Sequence, residues 1–96
     1  MSQIRLTDSL SVPDGVLIRE VADEAVLLNL NNEQYYGLDG VGLRMWQVLT
    51  AGGIIEQGIE SLLTEYDVDR ATLERDVLRL LDALADQGLV EIVDAG

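Results

Sequence analysis

The chain has no cysteine, no histidine and no lysine, and a single proline. Without cysteine there are no disulfides and no thiolate metal sites. With histidine missing as well, the commonest general base and the best nucleophile are both absent. Long apolar runs are missing too: none approaches the roughly 18 residues that a membrane helix needs. The opening MSQIRLTDSL has no signal-peptide layout. A cytoplasmic location is the default expectation. Positive charge is scarce: 18 acids stand against six arginines, for a net charge of −12. A duplex binder needs a basic footprint, because phosphate contacts dominate that affinity. This chain repels nucleic acid at long range and attracts a basic peptide or protein. The same acids also serve solubility.

What is present is the material of one small domain, residues 1–96. Hydrophobic residues make up 48% of it, which argues against disorder. Residues 1–14 read as an extended arm ending in a turn at Pro13-Asp14-Gly15. A strand is expected over Val16 to Val21, a second over Ala25 to Leu30, and a third over Gln34 to Leu38. In the second, Val26, Leu28 and Leu30 fall every second residue and read as its buried face. Asn31-Asn32 suits the turn that follows, since Asn accepts left-handed backbone and bonds its own main chain. The third strand puts Tyr36 and Leu38 on one side, Tyr35 and Gly37 on the other. Short turns make these strands an antiparallel meander whose first and third members are edges.

Helical spacing begins after Asp39. The first helix, about Gly40 to Thr50, carries Val41, Met45, Val48 and Leu49 on one face, with Trp46 beside them. Gly52-Gly53 breaks the chain, and a second helix follows from about Ile54 to Tyr66. The third helix has Asp69 as its cap and Leu73, Val77, Leu80, Leu81 and Leu84 as its apolar stripe. Gly88 then Leu89 form a Schellman-type ending. Leu89 to Val93 could add a small strand. Three strands followed by three helices bury their apolar faces together as an α+β domain, winged helix-turn-helix-like.

No constellation speaks for catalysis: the carboxylates, Glu74 and Asp82 among them, sit at helix-surface spacing. No loop has EF-hand spacing, so no metal or cofactor is expected. A winged helix usually reads DNA through its third helix. Here that helix carries Arg70, Arg75 and Arg79 against Asp69, Glu74, Asp76, Asp82 and Asp86, the wrong sign for a groove. Peptide binding fits better. An edge strand can be extended by a peptide, with main-chain bonds for affinity and side-chain pockets for specificity.

The run LLNLNNEQYYGLDGVGLRMWQVL, residues 27–49, resembles the PqqD-like proteins, also called RiPP recognition elements. In that family a strand, a turn, a Tyr-Tyr-x-Leu-Asn/Asp stretch and a helix with a central Trp recur in this order. Here they are Leu27–Leu30, Asn31–Glu33, Tyr35–Asp39 and Val41–Leu49 with Trp46. The helical half, through Gly88-Leu89-Val90, is similar as well, so the resemblance spans residues 15–93. It implies a non-catalytic protein that binds the leader of a ribosomally made precursor peptide as a strand beside the third strand and third helix. The leader then goes to modifying enzymes. The chain looks most like the discrete elements of lasso-peptide clusters, which serve a leader peptidase and a cyclase and take a leader with a Tyr and a Pro. The pyrroloquinoline-quinone version, serving a radical enzyme, is the sibling reading. An acidic winged-helix interaction or DNA-regulatory domain is the alternative outside the family. On the resemblance, leader contact falls to Gln34, Tyr35, Tyr36, Gly37 and Leu38 of the strand and to Asp69, Leu73, Asp76, Val77 and Leu80 of the helix.

Overall fold

The computed structural model describes residues 4–94, so the first three residues of the expected arm lie outside it. The expected meander forms from β2 (Val16–Val21), β3 (Glu24–Asn29) and β4 (Tyr35–Asp39), preceded by a short β1 (Ser9–Ser11). Their order is β2-β3-β4, all antiparallel, so β2 and β4 are the edges. Then come α1 (Gly40–Leu49), α2 (Ile55–Glu65), α3 (Arg70–Asp86) and a last short strand, β5 (Glu91–Val93). α1 and α3 cover one face of the sheet and α2 packs against them, which gives the expected α+β arrangement.

The buried face of β3 is the opposite of the one expected. Ala25, Leu27 and Asn29 point inward, while Val26 is 48% exposed and Leu30 lies at the surface. The register explains it. Leu27 stands opposite Tyr36 and Ala25 opposite Leu38, so β3 and β4 turn these residues to the same side. That side meets Leu43 and Trp46 of α1, Leu84 of α3, and Leu89 and Val90 beyond it. The other face, with Leu17, Val26 and Tyr35, stays exposed.

A second cluster joins the helices: Met45 and Leu49 of α1, Ile59 and Leu62 of α2, and Leu73, Val77 and Leu81 of α3. Here Gly58 has a packing reason. A Cβ on it would sit 2.6 Å from Leu49 Cδ2, so any larger residue would have to displace the buried Leu49 side chain where α1 meets α2.

The two ends of α3 follow their sequence signals closely. Asp69 accepts from the Thr72 amide and caps α3. At the other end Leu89 N donates to Leu84 O and Gly88 N to Ala85 O, with Gly88 at φ +72°, a Schellman ending. Asp39 occupies the N-cap of α1 but makes no side-chain capping bond. For α2 the cap comes from far away in sequence. The Ile55 and Glu56 amides donate to the carbonyls of Asp8 and Leu6. The N-terminal arm is therefore not a free extended segment. It satisfies orphan donors of α2, and its β1 pairs antiparallel with β5, Ser9 opposite Val93.

Candidate functional site

The site begins with the main chain of β4. Asn29 N donates to Gln34 O, which makes Asn29 and Gln34 a hydrogen-bonded pair. In an antiparallel ladder the bonded pairs alternate along the strand. Tyr36 and Leu38 thus turn their polar groups toward β3. Tyr35, Gly37 and Asp39 turn theirs toward the open edge. Side chains alternate too, so Tyr36 and Leu38 point inward, Tyr35 and Gly37 outward.

Beside that edge lies an open groove of about 360 Å³. Tyr36 is its contribution from β4. Val41, Gly42 and Met45 of α1 close one end. Asp76, Arg79, Leu80 and Ala83 form the wall on α3. Those four are spaced i, i+3, i+4, i+7, one face of a helix. That stripe lies next to the core stripe, which is why α3 builds a wall and a core at once.

The ten residues expected from the sequence divide accordingly. Tyr36, Asp76 and Leu80 line the groove. Gln34 precedes β4 and is exposed, Tyr35 is exposed on the outer face, and Gly37 has nothing within 4 Å of where a Cβ would stand. Leu38, Leu73 and Val77 are core, 5%, 2% and 0% exposed, and none of them lines this groove. Asp69 is occupied as a cap. Val41, Gly42, Met45, Arg79 and Ala83 were not among the expected residues. The apolar stripe hid the α3 pair, because Arg79 and Ala83 are its polar and small flank.

Arg79 is the arginine that lines the groove. Arg44 donates to both carboxylate oxygens of Glu65, at 2.7 and 2.8 Å, which joins α1 to α2. That hydrogen bonding holds the Glu65 carboxyl below its ordinary pKa and Arg44 above its own. Arg70 pairs with Glu74 one turn along α3. Arg79 has no ion pair among the described residues and faces the groove. Among the described residues no group of three or more His, Cys, Asp or Glu comes together to hold a metal. No described helix is long and apolar enough to cross a membrane.

An edge strand, a groove and a helical wall are a common enough arrangement, and the family decides which version this is. The family model described as coenzyme PQQ synthesis protein D (PqqD) matches residues 24–90, most of the chain and all of the site. The chain belongs to the PqqD family. Two solved structures share the fold of this PqqD-family protein. The one described as TbiB1 in complex with the TbiA(beta) leader peptide is 42% identical, with 83% of this chain and 93% of that one covered at a TM-score of 0.77. The other, described as lasso peptide synthetase B1 complexed with the leader peptide, is 23% identical, covers 86% and 98%, and also has a TM-score of 0.77. No curated protein matches the chain.

Proposed function

We propose that this PqqD-family protein binds the leader segment of a ribosomally made precursor peptide of the lasso class and delivers it to a leader peptidase and a cyclase. The observation that carries the reading is the open edge of β4 lying beside a groove walled by α3. The leader adds as a strand to that edge. Tyr35, Gly37 and Asp39 supply the main-chain bonds, and Gln34 borders the first of them. Leader side chains on the inner side seat against Tyr36, Met45, Leu80 and Ala83. Asp76 and Arg79 meet charged groups of the leader. Leu38, Leu73 and Val77 act from the core by holding β4 and α3 in place, and Asp69 by capping α3. Support comes from the 42% identical relative, whose structure is a leader complex.

The protein acts by binding alone, in the cytoplasm. Its partner enzymes need a surface that the leader leaves free. The outer face of the sheet, with Leu17, Val26 and Tyr35 exposed, has the apolar character for that contact.

The test is a titration followed by fluorescence anisotropy. Two fluorescein-labelled peptides serve: the TbiA(beta) leader and the leader of a short precursor encoded beside this protein. Saturable binding at micromolar concentration or below is expected for at least one. No binding of either, with the fold intact by circular dichroism, overturns the reading.

A further inference from the structure

β4 and α3 are the long walls of the groove, yet among the described residues no hydrogen bond runs between them. They are tied together at one end instead, by two asparagines: Asn29, the last residue of β3, and Asn32 in the turn that follows. Asn29 is 5% exposed. Its Nδ2 donates to Gly88 O at 2.8 Å, while its Oδ1 accepts from Asn31 N at 2.9 Å. Asn32 repeats the pattern: Nδ2 donates to Gln87 O at 3.2 Å, and Oδ1 accepts from Gln34 N at 2.9 Å. Each amide thus serves the turn with its oxygen and the end of α3 with its nitrogen. The contact is close because position 88 is glycine. A Cβ there would lie 2.9 Å from Asn29 Nδ2 and 3.1 Å from Asn32 Nδ2.

A strand added to β4 must reach that edge with its main chain and α3 with its inward side chains. Both walls therefore have to stand at one separation, and holding them there beforehand lowers the ordering cost of binding. We propose that Asn29 and Asn32 are positioning residues, a clamp that fixes the β3–β4 turn on the end of α3 and so sets the groove before the peptide arrives. The proposal rests on the leader-binding reading above. Asn31 provides the internal comparison. It lies in the same turn, but its Nδ2 donates to Asp14 O at 3.2 Å, on the β2 side.

Asn29 carries turn and clamp together in a buried site, so its truncation unfolds the hairpin and tests nothing finer. Asn32→Asp is the sharper change. It keeps the oxygen that accepts from Gln34 N and removes the donor to Gln87 O. Asn31→Asp adds the same charge and removes a bond of the same length that does not reach α3. The TbiA(beta) leader is titrated into the wild type and both variants, and amide hydrogen exchange is measured on the three free proteins. Asn32→Asp should weaken leader binding about fivefold, the size of one net hydrogen bond. It should also speed exchange at the Tyr36 amide, while Asn31→Asp matches the wild type in both. Equal weakening by the two variants, or wild-type affinity in Asn32→Asp, overturns the clamp. If the wild type binds no leader, the functional reading falls instead, and unchanged exchange in Asn32→Asp then overturns the clamp independently.

Discussion

β2 and β4 are edges of one sheet, and each turns alternate main-chain amides away from β3. On β4 these belong to Tyr35, Gly37 and Asp39; by the register they belong to Ile18 and Glu20 on β2, where the Val16 amide is already spent on Pro13 O. The difference lies beside the edge. Next to β4 stand α1 and α3 with a groove between them. On β2 every residue from Leu17 to Val21 is exposed. It carries Arg19 and Glu20, the kind of charge that discourages edge-to-edge pairing. Hydrogen-bonding capacity is thus common to both edges, and what distinguishes them is the wall beside β4.

The largest effect should come from blocking the two edges in turn. Gly37→Pro removes an outward amide of β4 without touching the ladder to β3. Leader affinity should fall at least tenfold, the loss of a hydrogen bond plus a steric block. Ile18→Pro makes the same lesion on β2 and should leave affinity unchanged. If both proline variants bind leader like the wild type, with folding verified by circular dichroism, strand addition at β4 is wrong. Next in size is Ala83→Phe, which fills the groove from α3. A loss of about tenfold in anisotropy titrations with an unchanged melting temperature would separate the wall from the edge.

The meander, the helices and the α3 caps were legible in the sequence, because Asp69, Gly88 and the Leu73–Leu84 stripe obey strong local rules. The buried side of β3 was not. AVLL is apolar at four successive positions, so alternation could not choose a face, and the choice was made by Tyr36 and Leu38 across the ladder. The site was half legible for a related reason. Leu73 and Val77 share the helix with the wall residues, and a one-dimensional stripe does not say where core ends and groove begins. The capping of α2 by Leu6 and Asp8 left no local trace at all.

Two smaller effects sharpen the contrast between edges. Ala22, in the β2–β3 turn, has φ +58°, a left-handed conformation that costs a residue with a Cβ about 1–2 kcal/mol. Ala22→Gly should raise the melting temperature by several degrees and leave leader affinity alone, since that turn serves β2 and β3 only. The smallest effect concerns pH. The Arg44–Glu65 pair touches neither edge. Because Glu65 titrates below its ordinary value when folded, its contribution is present above the unfolded-state pKa and fades as pH falls through the lowered one. Glu65→Gln should flatten that part of the stability–pH curve, less so at high salt, without moving leader affinity.

The pairing of β1 with β5 has a consequence in time. The meander joins strands that are close in sequence, whereas this ribbon brings Ser9 to Val93 across nearly the whole chain. Closing so long a loop is the slowest kind of contact to make. The arm that caps α2 travels with that ribbon. During refolding, protection of the Ile55 and Glu56 amides should therefore lag behind protection of β3 and β4, with the first turn of α2 the last to become quiet.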